Sequence, residues 1–242
     1  MIDLHSHILP ELDDGARTLQ DAIVMARMAV QSGVTAMVAT PHYADDRCRE
    51  VYDAWMFFQD ALKESQIPLQ LFLGMEIFGT PSTARMLREE SLFTLNGSRY
   101  PLIEFSFHSD GHQETHILQD VIGAGFVPLI AHPERYLYVQ DDPTILNHWH
   151  TMGCLMQINR GSLLGRFGRR AQKLSAELVQ RGFATVIASD AHSPHQRTPW
   201  LKDVQELVFE GLSAQHAKLL LEDNPRKIIE NENIQPADPV WF

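Results

Sequence analysis

Histidine and acidic residues recur in this chain at spacings that suit metal binding. His5 and His7 are separated by one residue, as are Asp190 and His192, and side chains alternate along an extended strand, so each pair lies on one face. Each pair can therefore coordinate a cation from one side. Further residues of the same chemistry occur singly, and the full set of candidate ligands is His5, His7, Asp14, His42, Glu76, Glu104, His132, Asp190 and His192.

The candidate ligands combine imidazole nitrogens with carboxylate oxygens and include no thiolate. Nine side chains are too many for one ion and suit two or three ions if some carboxylates bridge. The mixture of nitrogen and oxygen favours manganese, iron or zinc over calcium. A single histidine is more often a surface or core residue than a ligand. Here, however, candidates follow six separate predicted strands, and this joint pattern favours a metal centre.

Seven short apolar runs rich in β-branched residues alternate with segments of helical periodicity, which is typical of βα units around a parallel sheet. The runs predict strands at Ile2–His5, Val34–Thr40, Leu69–Met75, Tyr100–Phe105, Phe126–Ala131, Cys154–Asn159 and Thr185–Ser189. A first helix is predicted to begin after Thr18, with Asp21 in its first turn, and to end at Gly33. Later helices are predicted near 48–65, 80–90, 113–124, 142–152, 170–182, 200–211 and 214–222. The candidate ligands lie at the carboxyl ends of the strands, with Glu76 expected to end the third, and these ends converge on one rim of a parallel barrel.

Length and composition fit one α/β barrel. The 242 residues are 44% hydrophobic and 21% charged, and a single domain is expected over 1–242, with a polar tail from about Asn231. The net charge of −11 argues against nucleic acid or an anionic membrane as the main partner. Two cysteines, no leader-like segment and no apolar run of about 18 residues predict a cytoplasmic protein without membrane insertion.

The motifs together resemble one superfamily. They are Ile2-Asp3-Leu4-His5-Ser6-His7-Ile8-Leu9-Pro10, Asp13-Asp14-Gly15, Ala39-Thr40-Pro41-His42, Gly74-Met75-Glu76, Ile103-Glu104-Phe105, Ala131-His132-Pro133-Glu134-Arg135 and Ser189-Asp190-Ala191-His192. These segments are similar to the PHP (polymerase and histidinol phosphatase) superfamily. More narrowly, they resemble its bacterial manganese-dependent protein-tyrosine phosphatases of capsule and exopolysaccharide operons, over about residues 1–225. The resemblance implies a distorted (β/α)7 barrel, the PHP fold, which binds three divalent ions, manganese or alternatively iron or zinc.

The resemblance also implies how the ligands are shared. The first ion would take His5, His7, Glu76 and Asp190, the second Glu76 as a bridge with Glu104 and His132, and the third Asp14, His42 and His192. Glutamate at position 104 resembles the tyrosine-phosphatase branch, since many other PHP phosphoesterases have histidine there.

Two arginines near the candidate ligands indicate a phosphate substrate. Three divalent ions would more than offset four carboxylates, and Arg135 and Arg197 would add further positive charge for a phosphomonoester dianion. The resemblance gives both arginines this role. The predicted reaction is metal-assisted hydrolysis of phosphotyrosine, with His42 and His192 as groups that could lie near the leaving oxygen. The implied partner is a phosphotyrosine-bearing protein, the cytoplasmic tail of a membrane tyrosine autokinase that regulates capsule or exopolysaccharide synthesis.

Other functions stay open at the level of sequence. Cys154 and Arg160 match the Cys-x5-Arg signature of cysteine-dependent tyrosine phosphatases, but the residues between them predict a strand rather than a glycine-containing phosphate loop. The remaining alternatives are a small-molecule phosphatase such as histidinol-phosphate phosphatase, an amidohydrolase, and a non-catalytic metal-binding regulatory domain. His108, His112 and His116 recur every four residues and are expected to form a polar surface stripe.

Overall fold

A ring of short parallel strands forms the centre of the protein. The computed structural model describes residues 1–42, 48–235 and 238–242. The strands are β1 (Ile2–Asp3), β2 (Ala36–Ala39), β3 (Gln70–Leu73), β4 (Glu76–Phe78), β5 (Leu102–Glu104), β6 (Leu129–Ala131), β7 (Leu155–Asn159) and β8 (Val186–Ala188). They pair in parallel in the orders β1-β2-β3 and β4-β5-β6-β7-β8.

Two backbone bridges close these sheets into a barrel. Beyond β2, His42 forms a parallel bridge with Glu76, and beyond β8, Ala191 forms one with Ser6. At the second joint the His7 N–H donates to the Ala191 carbonyl oxygen at 2.8 Å. Because β3 and β4 follow each other in one chain segment, the barrel has seven strand segments, and the predicted (β/α)7 architecture is confirmed.

The third strand segment differs from its prediction. One strand is predicted over Leu69–Met75 with Glu76 at its end, but β3 stops at Leu73 and Glu76 begins β4. Gly74 lies at the break, and a Cβ atom there would lie 2.8 Å from Cγ1 of Val38 on β2. The chain passes β2 too closely for a side chain at this point. The segment then continues as β4, which pairs with β5.

Helices connect successive strands. They are α1 (Leu19–Gln31), α2 (Cys48–Glu64), α3 (Thr83–Arg88), α4 (His112–Gly123), α5 (Leu137–Asp141), α6 (Ile145–Thr151), α7 (Arg160–Leu163), α8 (Arg169–Arg181), α9 (Lys202–Gly211), α10 (Ala214–Lys218) and α11 (Asn224–Ile229), with a π-helical turn at Leu219–Asp223. Thr18 caps α1 as predicted, accepting a hydrogen bond from the Asp21 N–H at 3.1 Å, and Gly33 follows its end with a φ of 94°. The short helices α5, α7 and α11 were not predicted.

Alternate strand residues face two hydrophobic clusters. One set, which includes Leu4, Val38, Leu102 and Leu155, forms a cluster with Ile228 of α11. The other set packs with residues of the surrounding helices in a larger cluster. The first cluster fills the barrel below the rim, so the carboxyl ends of the strands are left as the place for a site. No helix in the described ranges is long and apolar enough to span a membrane.

Candidate metal centre

The candidate ligands from all parts of the chain converge on the carboxyl-terminal rim of the barrel. Their ligand atoms form four groups in which all members lie within 4.8 Å of one another. The groups are His7, Asp14, His42 and His192; His5, His7 and Asp190; His5, Glu76 and His132; and His42, Glu76 and Glu104. All nine predicted residues therefore belong to one continuous cluster.

Glu76 lies at the middle of this cluster. Its Oε1 atom is 3.0 Å from Nε2 of His132 and 3.3 Å from Nε2 of His5, while Oε2 is 3.0 Å from Nδ1 of His42 and 3.3 Å from Nε2 of His7. Burial opposes ionisation of this carboxyl, but the charge of His5 and the hydrogen bonds of His132 and His42 outweigh it and hold the pKa of Glu76 well below its usual value. Since its two oxygens face different imidazoles, the carboxylate is placed to bridge two cations.

Asp190 links the imidazole cluster to the two predicted arginines. Its Oδ1 atom lies 3.5 Å from Nε2 of His5 and 3.6 Å from Nε2 of His7, and it is buried without a hydrogen-bond partner. Its Oδ2 atom forms an ion pair with Nη2 of Arg197 and accepts a hydrogen bond from Nη1 of Arg135 at 3.2 Å. A buried carboxylate oxygen without a donor is unfavourable, and a cation between it and the imidazoles would satisfy it.

Glu104 gives a second indication that the cluster is built for cations. Its side chain is 15% exposed, and Oε1 lies 3.6 Å from Nε2 of His132. Burial and the nearby charge of Glu76 raise the pKa of Glu104 to about 7. Two acids packed this closely repel each other unless positive charge lies between them. The donor set therefore fits divalent cations held by nitrogen and oxygen atoms.

The group around Asp14 lies at the open side of the cluster. The Asp14 side chain is 63% exposed and that of His42 is 40% exposed, whereas that of His192 is 9% exposed. Oδ1 of Asp14 lies 3.5 Å from Nε2 of His42 and 3.4 Å from Nε2 of His192. A ligand that enters from solvent meets this group before the buried histidines.

Side chains behind the ligands fix the imidazole rings. Nδ1 of His5 donates to Oε1 of Gln157 at 3.0 Å, and the same oxygen accepts from the His132 backbone N–H at 3.2 Å. Nδ1 of His7 donates to Oδ2 of Asp13 at 2.7 Å. Each contact leaves Nε2 of the ring directed into the cluster. Sequence reasoning missed Gln157, although a polar residue inside an otherwise apolar predicted strand was a usable signal.

Three site residues hold backbone conformations that L-amino acids disfavour. The φ angles are 33° at His132, 51° at Asp190 and 49° at Arg197. Each such conformation costs about 1–3 kcal/mol and persists only where the surrounding structure enforces it. Strain of this kind concentrates at functional sites. Here it occurs at His132 just beyond β6, at Asp190 just beyond β8, and at Arg197, one of the two arginines.

The two arginines pack around an aromatic ring that sequence reasoning missed. The guanidinium carbon of Arg135 lies 4.3 Å from the ring centroid of Phe167 and 4.9 Å from that of Phe107, and the guanidinium carbon of Arg197 lies 5.7 Å from the centroid of Phe167. The side chains of Arg135 and Arg197 are 16% and 27% exposed, so both are partly open to solvent. Held in this way beside the cluster, the guanidinium groups can pair with the oxygens of an anion.

Cys154 and Arg160 do not form a phosphate-binding loop. Cys154 is buried just before β7, and burial raises the pKa of its thiol to about 12. Arg160 is buried at the start of α7, where its Nε donates to Oδ1 of Asp203 at 2.8 Å. A thiol that stays protonated and an arginine already paired provide neither the nucleophile nor the anion site of a cysteine-dependent phosphatase.

The histidine stripe lies away from the ligand cluster. His112 begins α4, His116 follows one turn later, and His108 precedes the helix, all three being exposed. Within the residues that the structure describes, none of the three belongs to a group of metal-ligating atoms. They form a polar surface, as expected.

A closed parallel barrel with a ligand-rich carboxyl rim is the architecture of the metal-dependent barrel hydrolases. Dihydropyrimidinase from Brevibacillus agri NCHU1002 shares the fold, with a TM-score of 0.57 over 95% of this chain and 70% of that chain at 10% identity. Within this class, the family model described as "Capsular polysaccharide synthesis, CpsB/CapC" matches residues 1–230. The chain belongs to the CpsB/CapC family, and the resemblance found in the sequence motifs is confirmed.

Relatives in this family are similar over their whole length. The tyrosine-protein phosphatase YwqE of Bacillus subtilis (strain 168) is 34% identical over 99% of this chain and 96% of its own. The tyrosine-protein phosphatase CpsB of Streptococcus pneumoniae is 30% identical over 97% of this chain and 100% of its own. A chain from the crystal structures of YwqE and CpsB, described as unique metal-dependent tyrosine phosphatases, matches with a TM-score of 0.93 and 33% identity over 100% of both chains.

Proposed function

We propose that this protein is a metal-dependent protein-tyrosine phosphatase that hydrolyses phosphotyrosine on a protein partner. The observation that carries the proposal is the shared contact of Arg135 and Arg197 with Asp190, at the edge of the ligand cluster. A phosphate group at that edge can meet both guanidinium groups and the cluster together. The names of the relatives YwqE and CpsB support the same activity.

We propose that three divalent ions, manganese in the native protein, occupy the cluster. The first would be held by His5, His7, Glu76 and Asp190, the second by Glu76, Glu104 and His132, and the third by Asp14, His42 and His192. The orphaned Oδ1 of Asp190 and the close approach of Glu76 and Glu104 support cations at these positions. Divalent ions at such a centre supply Lewis acidity and lower the pKa of water toward about 7.

The protein's own side chains bind and orient the substrate. Arg135 and Arg197 donate to the phosphoryl oxygens and keep phosphorus at the edge of the cluster, where neutralising the charge on these oxygens supplies most of the catalysis. His42 and His192, which both contact Asp14 at the open side of the cluster, would lie near the leaving oxygen. Tyrosine phenolate has a pKa near 10, so it leaves with little help from an acid. Burial lowers the pKa of His192 below its usual value.

We further propose that the partner is the cytoplasmic tail of a membrane tyrosine autokinase in capsule or exopolysaccharide synthesis. The description of the family as one of capsular polysaccharide synthesis supports this assignment. Cytoplasmic action is proposed on the same basis, together with a composition of only two cysteines, neither in a disulfide.

The test compares a phosphotyrosine peptide with histidinol phosphate, using protein stripped of metal by a chelator and then restored with manganese. Hydrolysis of the peptide should require manganese and should be lost in His5→Ala. The Arg197→Ala variant should bind phosphate more weakly. Both variants should have the circular dichroism spectrum of the wild type. Cys154→Ser is the control and should keep full activity. Activity that survives chelation but disappears in Cys154→Ser would overturn the mechanism. Equal or better turnover of histidinol phosphate would support a small-molecule phosphatase instead.

A further inference from the structure

A groove of about 450 Å³ opens beside Arg135, one of the two arginines of the site. Its apolar walls are Phe107, Leu137 and Phe167, and its charged lining residues are Arg135, Arg169 and Arg170. We call it the arginine groove. Since Arg135 belongs both to the groove and to the edge of the ligand cluster, the groove continues the proposed phosphate site across the surface.

The arginine groove is basic on an acidic protein. The chain has a net charge of −11, yet no acidic side chain lines the groove in the described part of the chain. Arg169 and Arg170 are exposed at the start of α8. Arg170 pairs with Asp141, whose side chain is 70% exposed. A surface ion pair of this kind contributes little, so Arg170 can exchange this partner for another carboxylate.

The groove and the proposed phosphate site share a wall that is held in place from behind. Phe167 packs against Gly161, where a Cβ atom would lie only 2.5 Å from Cε2 of the phenylalanine ring. The guanidinium carbons of Arg135 and Arg197 lie 4.3 Å and 5.7 Å from the centroid of the same ring. A phosphorylated tyrosine bound by these two arginines would therefore have its neighbouring residues over the groove.

We propose that the arginine groove binds the segment of the substrate protein that flanks the phosphotyrosine and selects acidic residues there. The inference rests on the proposed function and adds the sequence preference of the substrate. Carboxylates of the flanking residues would pair with Arg169 and Arg170, while Phe107 and Leu137 pack against their aliphatic parts. A small phosphate ester reaches Arg135 and Arg197 but leaves Arg169 and Arg170 without a partner on the substrate.

The experiment compares three substrates on manganese-loaded protein. They are a phosphotyrosine peptide with acidic flanking residues, the same peptide with glutamine at those positions, and p-nitrophenyl phosphate. Two exposed ion pairs correspond to about a three- to tenfold preference in kcat/KM for the acidic peptide, expressed mainly in KM. The double variant Arg169→Gln/Arg170→Gln should lose this preference and keep wild-type turnover of p-nitrophenyl phosphate. Added salt should reduce the preference of the wild type.

The matched control is Arg85→Gln/Arg88→Gln, which removes two exposed arginines of α3 that do not line the groove. It should retain the preference for the acidic peptide. Equal turnover of the acidic and neutral peptides by the wild type would overturn the inference and leave the phosphatase activity standing. An equal loss of kcat/KM for all three substrates in the Arg169→Gln/Arg170→Gln variant would also overturn the inference. The two arginines would then act on the phosphate site or on folding.

A measurement of peptide binding tests the inference even if the protein does not hydrolyse phosphotyrosine. A fluorescent acidic peptide that carries a non-hydrolysable phosphotyrosine analogue should bind the wild type and the α3 control equally, as measured by anisotropy. The Arg169→Gln/Arg170→Gln variant should bind it about three- to tenfold more weakly. Unchanged affinity, or competition by anionic vesicles but not by unlabelled peptide, would contradict a peptide groove.

Discussion

Replacing Asp13 with asparagine tests whether the residues behind the ligands hold the metal centre. Oδ2 of Asp13 accepts from Nδ1 of His7 at 2.7 Å and from the His42 backbone N–H at 3.0 Å, while Oδ1 accepts from the Gly15 N–H at 2.9 Å. Burial opposes ionisation, but the hydrogen bond and charge of His7 hold the pKa of Asp13 below its usual value. Asparagine keeps the shape and replaces one oxygen with an NH2 group, so at least one N–H group loses its acceptor.

The size of the effect can be estimated in two ways. Removing a carboxylate behind a ligating histidine weakens metal affinity by about 10- to 100-fold. That range corresponds to about 1.4–2.8 kcal/mol, and a hydrogen bond to a charged group contributes about 1.5–3 kcal/mol. The two estimates agree. Asp13→Asn should therefore raise the Kd for manganese by about 10- to 100-fold in calorimetric titrations of chelator-stripped protein.

Asp60→Asn is the matched control, because this α2 carboxylate is 66% exposed and lies outside the ligand groups. Its Kd for manganese should stay within about a factor of two of the wild-type value. Thermal melts in chelator establish that both variants fold. Wild-type manganese affinity in Asp13→Asn would refute the reasoning. So would a fall in melting temperature that is as large in chelator as in manganese, since Asp13 would then stabilise the fold and not the metal centre.

Three other residues allow equally direct tests. Burial raises the pKa of Cys154 to about 12, so iodoacetamide at pH 8 should leave this thiol unmodified in folded Cys48→Ser protein. Rapid labelling of Cys154, detected by mass spectrometry, would contradict its burial. In metal-stripped protein, burial lowers the pKa of His7, but hydrogen bonds to Asp13 and a second carboxylate outweigh this effect and raise it from 6.5 to about 10. The stabilising contribution of protonated His7 is thus complete below pH 6.5 and lost as the pH rises through about 10. The melting temperature of the wild type should therefore fall more steeply over this range than that of His7→Gln. Parallel plots of melting temperature against pH would refute the assignment. Gly15→Ala should lower the free energy of unfolding by about 1–3 kcal/mol in urea titrations, because its Cβ would lie 2.1 Å from the His7 carbonyl oxygen; wild-type stability would show that the loop yields without cost.

The strands of this fold could be predicted because most are buried on both faces and form continuous apolar runs. The close approach of Gly74 to Val38 could not be predicted, since the two residues are distant in sequence. The helices α5, α7 and α11 have five, four and six residues, too few to show a helical period. The local sequence pattern was sufficient to predict strands that are buried on both faces. It was not sufficient for very short helices or for contacts between residues distant in sequence.

Positions of the candidate ligands followed from topology alone, because parallel strands bring their carboxyl ends to one rim. Their grouping did not. Glu76 contacts His5 and His132 with one oxygen and His42 with the other, which no spacing along the chain reveals. Phe167 was missed for the same reason, since its place depends on residues of several elements that meet only in the folded barrel.

Asp190 explains how an acidic protein can form a site for a phosphate dianion. Oδ1 faces the rings of His5 and His7, while Oδ2 pairs with the guanidinium groups of Arg197 and Arg135. Without cations, this carboxylate neutralises the guanidinium groups of Arg135 and Arg197, which we propose to bind the phosphate. A cation held by Oδ1, His5 and His7 would compete for this negative charge and so weaken the attraction of Asp190 for the arginines. The net charge of −11 therefore does not predict the sign of the pocket, because Asp190, one of the acids that contribute to it, is the group through which bound cations would make the arginines available.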